Sequence, residues 1–154
     1  ADFFKDEDAG VSASNRLRGI VLHDILSQVS TASDLKKAVD YALMSGDLNA
    51  DEARTAFGLL AGALKSVEDR GWFADDVQLM YNEASLIDTD GEIYRPDRVT
   101  VRRGKVVIVD YKFGEHQRKY EKQVRKYMDI WRRMGYEDVS GFLWYVDALT
   151  VVEV

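Results

Sequence analysis

The feature that most constrains the fold is the unbroken β-branched run Val106-Val107-Ile108-Val109, which is followed directly by Asp110-Tyr111-Lys112. Such a run is typical of a strand that is covered on both faces, so it predicts the central strand of a sheet. Because side chains alternate along a strand, Asp110 and Lys112 are predicted on one face and Tyr111 on the other. An anion and a cation are therefore expected side by side on a rigid element.

A second acid, Asp97, is expected close to this pair. It follows Arg95-Pro96, and the segment Arg102-Arg103-Gly104-Lys105 between Asp97 and Asp110 indicates a hairpin turn. Closing that hairpin brings two carboxylates and Lys112 into one site. Two acidic oxygens suit a hard cation such as Mg²⁺ or Mn²⁺. The lysine can orient an attacking water or offset charge on a phosphate, so phosphodiester hydrolysis is the reaction that these residues fit.

Bulk composition sets the class of protein. A chain of 154 residues that is 46% hydrophobic and 31% charged is expected to form one soluble domain with a sizeable core. It has no cysteine, which excludes disulfides and cysteine-bound zinc or iron-sulfur centres. The sequence has no apolar stretch of membrane-spanning length and nothing that resembles a signal peptide, so a cytoplasmic location without a membrane partner is predicted.

The charge distribution bears on the partner. A net charge of -6 argues by itself against nucleic acid. Acidic residues, however, concentrate in the first 92 positions, whereas the segment 116–134 is rich in lysine and arginine. A basic surface beside an acidic pocket would bind phosphates, and a solvated helix face is the equally weighted alternative. The basic residues of this segment are Arg118, Lys119, Lys122, Arg125, Lys126, Arg132 and Arg133.

Periodicity and turn signals divide the chain into an irregular lead-in at 1–15, a helical part at 16–71 and a sheet core at 77–154 with a crossover helix at 116–134. The predicted fold class is mixed α/β, with a central mixed sheet flanked by helices in a single domain over 1–154. The other predicted helices are 16–30, 33–44 and 49–71, and the predicted strands are 77–87, 93–101, 105–112, 139–146 and 149–154.

Several of these residues resemble a known family. Pro96-Asp97 followed by Asp110-x-Lys112 resembles the signature of the PD-(D/E)XK nuclease superfamily. Further matches resemble its RecB-like branch, which includes nucleases of the RecB and AddB type: Gly19-x-x-x-His23 in the first helix, Glu83 ahead of Asp97, and Gln123-x-x-x-Tyr127 in the crossover helix. They occur in the family's order. The resemblance implies a restriction-endonuclease-like core with an added N-terminal helical part.

The resemblance also implies roles for the central residues. His23, Asp97 and Asp110 are expected to bind Mg²⁺ or Mn²⁺, together with the backbone carbonyl of Tyr111. Lys112 is expected to position the nucleophilic water, with Asp97 and Asp110 as its catalytic partners. A plain core or surface histidine is the alternative for His23, and a turn former after proline is the alternative for Asp97. A stabilising ion pair is the alternative for Asp110 and Lys112.

The outer residues of the motif set are less specific. Glu83 is expected to act as a catalytic or water-bridging acid, and an exposed charge is the alternative. Gln123 and Tyr127 are expected to border the active site and contact the substrate or orient the lysine. Core packing is the alternative for Tyr127, because it lies in line with apolar residues of the same helix.

The activity implied by the resemblance is that of a metal-dependent deoxyribonuclease, an exonuclease on single-stranded DNA in DNA repair and recombination. The resemblance further implies a longer polypeptide that also contains a helicase motor, and this chain is expected to be one domain of it. The alternative from another class is a catalytically silent nucleic-acid-binding or scaffolding module of a helicase. A stand-alone structure-selective or restriction endonuclease is the alternative among enzymes, and the GxxxH and QxxxY helices favour the RecB-like branch over it.

Overall fold

A computed structural model describes residues 18–79, 86–87, 91 and 93–154 of the chain. It has the predicted mixed α/β fold, with a central mixed sheet between helices. None of the described helices is long and apolar enough to span a membrane. The described helices are α1 (residues 18–27), α2 (Leu35–Met44), α3 (Ala50–Ser66) and α4 (Arg118–Arg133). The strands are β1 (Gln78–Leu79), β2 (Leu86–Ile87), β3 (Ile93–Tyr94), β4 (Arg98–Arg102), β5 (Lys105–Lys112), β6 (Asp138–Tyr145) and β7 (Thr150–Glu153).

The main sheet has the strand order β1-β4-β5-β6-β7, and β5 is its central strand. Strand β5 pairs antiparallel with β4 and parallel with β6, which follows after α4. Arg103 and Gly104 close the β4–β5 hairpin with φ values of 51° and 79°. Two consecutive positive φ values are those of a type I′ turn, whose twist matches that of paired strands. The predicted hairpin and the predicted bounds of the central strand are therefore confirmed.

The alternating side chains of β5 contribute to two separate cores. Val106 and Ile108 pack with α4 on one face, whereas Val109 and Tyr111 pack with α1, α2 and α3 on the other. This is why the strand is β-branched at every position of the run: both faces are covered. By the same alternation, Asp110 lies on the α4 side of the sheet.

The structure corrects the predicted strands ahead of the hairpin. The strand predicted at 93–101 is interrupted at Arg95-Pro96-Asp97, and β3 pairs with β2 in a separate two-stranded sheet. Proline has no amide hydrogen to donate to a ladder, which explains the break. The strand predicted at 77–87 likewise supplies β1 to the main sheet and β2 to the small one, and residues 80–85 lie outside the described part.

The helical half follows its capping signals. The Asn49 side chain accepts the Glu52 amide, and the Glu52 carboxylate accepts the Asn49 amide, so α3 begins at the predicted capping box. It ends at Ser66, earlier than predicted, and a short 3₁₀ turn then leads to Gly71 with a φ of 71°. The described part of α1 ends at Ser27, also earlier than predicted.

A close approach between α4 and the sheet occurs at Gly141 on β6. A Cβ atom at this position would lie 2.5 Å from the Met128 sulfur and 2.6 Å from a Val124 methyl group. Real Cβ atoms do not approach neighbours so closely, so a side chain here would force α4 away from the sheet. The glycine therefore fixes the distance between the crossover helix and the central strands.

Candidate active site

The two predicted acids lie opposite each other at the open end of the β4–β5 hairpin. Arg98 pairs with Val109, and one further step in the same antiparallel register places Asp97 opposite Asp110. One Asp97 carboxylate oxygen, Oδ2, accepts the Tyr111 amide at 2.7 Å. Asp110 is buried, with 3% of its surface exposed. The hairpin thus brings the two carboxylates together as predicted from the sequence.

Helix α1 brings His23 to the same place from the opposite face of the sheet. Its Nε2 atom lies 2.8 Å from Asp97 Oδ1, and its ring meets the Tyr111 ring edge-on at 6.1 Å between centroids. The helix is held there by Leu22, Ile25 and Leu26, which are buried in the core. Asp97 therefore contacts the helical layer through one oxygen and the central strand through the other.

Lys112 completes the group. Its Nζ atom lies 2.8 Å from Asp110 Oδ2, and 22% of its side chain is exposed. The contact is an ion pair without hydrogen-bond geometry, because the buried Oδ2 atom has no hydrogen-bond partner among the described residues. A carboxylate oxygen buried in this way is costly unless a cation compensates it.

The proton equilibria reflect this crowding. Burial and the adjacent Asp97 carboxyl raise the pKa of Asp110 to about 7, and Lys112 opposes the rise. Burial would also raise the pKa of Asp97, but contacts with His23, Asp110 and the Tyr111 amide lower it below its usual value. The hydrogen bond to Asp97 raises the pKa of His23, against the opposing effect of burial. Two adjacent acids whose pKa values are shifted in opposite directions are typical of functional sites.

The donor set fits a hard divalent ion in its chemistry. An imidazole nitrogen and carboxylate oxygens are ligands of Mg²⁺ and Mn²⁺ in proteins, and the buried Asp110 Oδ2 atom is such an oxygen, next to the Lys112 ammonium. As the side chains stand, no three histidine, aspartate or glutamate residues of the described part are arranged to hold one ion together. His23 and Asp97 contact each other, so an ion bound by both would replace that contact.

Arg98 supports the site although no sequence motif marks it for that role. Its guanidinium is buried and donates to the carbonyls of Val29 at 3.1 Å, Ser30 at 2.6 Å and Trp72 at 2.9 Å. It also lies 3.9 Å from the centroid of the Phe73 ring. Val29 and Ser30 come shortly after the end of α1, so Arg98 holds the C-terminal end of the His23 helix against the start of β4, next to Asp97. The only sign of this burial in the sequence was that Arg98 falls within a predicted strand, 93–101.

The remaining predicted site residues differ in position. Tyr127 is buried at 1% exposure and packs edge-on against Tyr94, so its ring belongs to the α4 core. It also lines a cavity of about 80 Å³ together with Asp97. Gln123 lies half-buried on α4, one turn earlier. Glu83 lies outside the described residues. The substrate roles of Gln123 and Tyr127 and the acid role of Glu83 stay predictions.

Comparison with known proteins gives the family. The family model described as the PD-(D/E)XK nuclease superfamily matches residues 3–153, and the chain belongs to this superfamily. Its members are generally nucleases that bind DNA and use divalent metal ions, usually Mg²⁺. A search of curated proteins found no significant match. The RecB-like branch within the superfamily stays a prediction.

Proposed function

We propose that this chain is a Mg²⁺- or Mn²⁺-dependent deoxyribonuclease domain. The observation that carries the proposal is the convergence of four chemically matched side chains from three separate stretches of chain. His23 comes from α1, Asp97 precedes β4, and Asp110 and Lys112 end β5, with the contacts His23–Asp97 and Asp110–Lys112 both at 2.8 Å. Such a cluster at the end of a buried strand is more than the sheet needs for stability.

In this proposal His23, Asp97 and Asp110 hold the metal ion, together with the backbone carbonyl of Tyr111. Glu83 is proposed as a further acid of the same site. When bound, a hard divalent cation polarises the phosphate and stabilises the leaving oxygen. The buried position of Asp110 keeps bulk water from screening that interaction.

Lys112 is the proposed catalytic cation. Its ammonium is partly exposed, so it can reach a phosphate or a water molecule at the mouth of the site while it remains next to Asp110. An ammonium in a partly desolvated position orients the attacking water and offsets the charge that develops on the phosphate. The hydrolysis consumes that water: its oxygen forms the new bond to phosphorus as the bond to the leaving oxygen breaks.

Helix α4 supports DNA as the substrate. All of its lysine and arginine side chains are exposed, and they lie along the face opposite its buried residues Val124, Tyr127, Met128 and Trp131. Arg125 contacts Glu121 and Arg132 contacts Asp129, whereas no acidic partner is found for the other basic residues among the described ones. The basic face follows a helix of 16 residues, about 24 Å long. A charged surface of this length suits a phosphate backbone.

The finer activity rests on the motif order alone. We propose an exonuclease on single-stranded DNA, of the RecB-like branch, that works with a helicase motor of the same polypeptide in DNA repair or recombination. The pairs Gly19-x-x-x-His23 and Gln123-x-x-x-Tyr127 support this branch. One nuclease domain over residues 1–154 is part of the same proposal. End-labelled linear and circular single-stranded DNA distinguish the modes: an exonuclease degrades only the linear form.

Calorimetric titration with Mn²⁺ tests the central proposal. Wild-type protein should bind Mn²⁺ and cleave DNA only when the metal is present. Asp110→Ala should lose both properties, and the control Asp138→Ala, at an exposed aspartate, should retain them. Mn²⁺ binding that is unchanged in Asp110→Ala would remove Asp110 from the site and contradict the proposal.

A catalytically silent module is the second candidate, because one observation favours it. His23 is paired with Asp97 and Asp110 with Lys112, as in purely structural ion pairs. A silent module should bind DNA through α4 but should neither bind Mn²⁺ nor cleave. The same titration therefore separates the two candidates.

The DNA surface has its own test. The double substitution Lys122→Gln/Lys126→Gln should weaken DNA binding and reduce the slope of log affinity against log salt by roughly 1 to 2, because two phosphate contacts are lost. The matched control is Lys36→Gln/Lys37→Gln on α2, which removes two exposed lysines from another helix. Equal effects of the two changes would exclude a specific role for α4.

A further inference from the structure

Among the described residues, the ammonium of Lys112 contacts an acid and an aromatic ring. Asp110 Oδ2 lies 2.8 Å away, and the centroid of the Tyr120 ring lies 4.1 Å away. Tyr120 is half-buried in the first turn of α4, the helix that follows β5. Lys112 therefore lies between a carboxylate and an aromatic ring.

The distance to the ring is well within the range of a cation–π interaction. An ammonium within about 6 Å of a ring centroid is attracted by the negative charge of the ring face, most strongly where water is partly excluded. Only 22% of the Lys112 side chain is exposed, so this condition is met. The two contacts also restrict a side chain that otherwise has many rotamers.

The ring becomes more important once the acid is shared with a metal ion. A divalent cation on Asp110 would weaken the pull of that carboxylate on the ammonium, because the two positive charges repel each other. Tyr120 carries no charge that the ion could take over. The attraction of the ring for Lys112 is then the contact that persists.

We propose that Tyr120 is a positioning residue, which holds the Lys112 ammonium at the active site through the face of its ring. The inference rests on the proposed nuclease function and adds a residue that the motifs do not include. The contact uses the ring and not the hydroxyl group. Tyr120→Phe should therefore preserve it, whereas Tyr120→Leu should abolish it.

Nuclear magnetic resonance of ¹³C-labelled lysine side chains tests the contact without any activity. A ring face shifts the ε-CH₂ signals of a nearby lysine, and Lys112→Arg identifies those signals by their disappearance. The shift should be present in wild-type and Tyr120→Phe protein, with and without Mg²⁺, and should be lost in Tyr120→Leu. Tyr41→Leu is the matched control, because Tyr41 is an exposed tyrosine on α2.

Kinetics then test the positioning role. Tyr120→Leu should lower kcat by roughly 2- to 30-fold, the range of a cation–π contact, and leave KM unchanged. The Tyr120→Phe variant should keep the kcat of the wild-type protein, because it keeps the ring. If Tyr120→Leu does not fold, Tyr120→Met provides a second variant that lacks the ring.

The outcomes separate the two proposals. If Tyr120→Phe is as impaired as Tyr120→Leu, or if the lysine shift is lost while kcat is unchanged, the positioning role is overturned. If wild-type protein shows the shift but has no metal-dependent activity, the nuclease function is overturned instead, and the contact is only structural.

Discussion

The Nε2 atom of His23 lies 2.8 Å from the Oδ1 atom of Asp97, which joins the helical half of the chain to the end of the central hairpin. The other Asp97 oxygen accepts the Tyr111 amide. One carboxylate therefore connects α1 with β5. A change at Asp97 acts on the helix, the strand and the candidate metal centre together.

Replacing Asp110 should separate stability from function. Because burial and Asp97 raise the pKa of Asp110 to about 7, its ionised form at pH 8 is destabilising in spite of the contact with Lys112. Asp110→Asn lacks that charge, so at pH 8 without metal it should raise the free energy of unfolding by about 1–3 kcal/mol. It should also abolish Mn²⁺ binding. Urea unfolding with and without Mn²⁺ measures both effects. The control Asp138→Asn should change stability by less than about 0.5 kcal/mol, and a metal-free Asp110→Asn protein less stable than wild type would contradict the reasoning.

The metal-free protein should lose stability as the pH rises from 5 to 8. Asp110, with its pKa raised to about 7, binds a proton in the folded state that the unfolded chain has already released. His23, with a raised pKa, contributes stability that is present below its usual value of 6.5 and lost above it. The slope for each proton is at most about 1.4 kcal/mol per pH unit. Asp97, with a lowered pKa, contributes stability that is lost only below about pH 4.

Urea unfolding across this pH range provides the measurement, and Asp110→Asn should flatten the curve between pH 5 and 7. Stability that increases with pH in the metal-free protein would show that neither group keeps its proton in the folded state.

Metal affinity should change with pH in the opposite direction. A metal ion must displace protons from His23 and Asp110, so Mn²⁺ affinity should rise as the pH increases from 5 to 7 and then level off once both groups are deprotonated. The slope should be at most about tenfold per pH unit for each proton displaced. Titration calorimetry in buffers of different ionisation enthalpy counts the released protons. Binding of Mn²⁺ to the His23→Gln variant should release fewer protons than binding to wild-type protein. A pH-independent affinity would mean that His23 and Asp110 do not bind the ion.

Replacing Gly141 or Gly19 with alanine should affect the free energy of unfolding differently. Gly141→Ala places a Cβ atom against Met128 and Val124 and should lower the free energy of unfolding by about 1–3 kcal/mol. At Gly19 a Cβ would meet Phe113 at 3.5 Å, an ordinary contact, and alanine favours a helix over glycine. Gly19→Ala should therefore be neutral or stabilising by up to about 1 kcal/mol. Thermal unfolding of both variants checks this, and a destabilising Gly19→Ala would indicate a closer approach of α1 to the sheet.

Removing the buried guanidinium should loosen α1. Arg98→Met leaves the carbonyls of Val29, Ser30 and Trp72 without their donor and should cost at least about 2 kcal/mol of unfolding free energy. Hydrogen exchange should increase in α1. The control is Arg54→Met, at an exposed arginine that pairs with Asp51, and should cost less than about 1 kcal/mol. Unchanged exchange in α1 would mean that Arg98 does not anchor the helix.

Sequence patterns over a few residues correctly predicted the elements that depend on neighbouring residues, namely the central strand, its hairpin turn and the start of α3. Strand β5 lies where the β-branched run predicts it, and the turn at Arg103-Gly104 sets the register that places Asp97 opposite Asp110. The box of Asn49 and Glu52 likewise starts α3 at the predicted residue. The strand predicted at 93–101 was the main exception, because Pro96 has no amide hydrogen for the ladder and β3 pairs with β2 in a separate sheet.

The sequence by itself determined the hairpin with its two acids and its lysine, because strand alternation and turn geometry act over a few residues. Only the tertiary structure decided that His23 reaches Asp97 from the other face of the sheet, and that Arg98 is buried against the carbonyls behind α1. It also decided that the Tyr120 ring lies beside Lys112 and that Gly141 lets α4 approach β6. These contacts depend on how helices pack across a sheet, and local periodicity shows which face of a helix is buried but not which residue it meets.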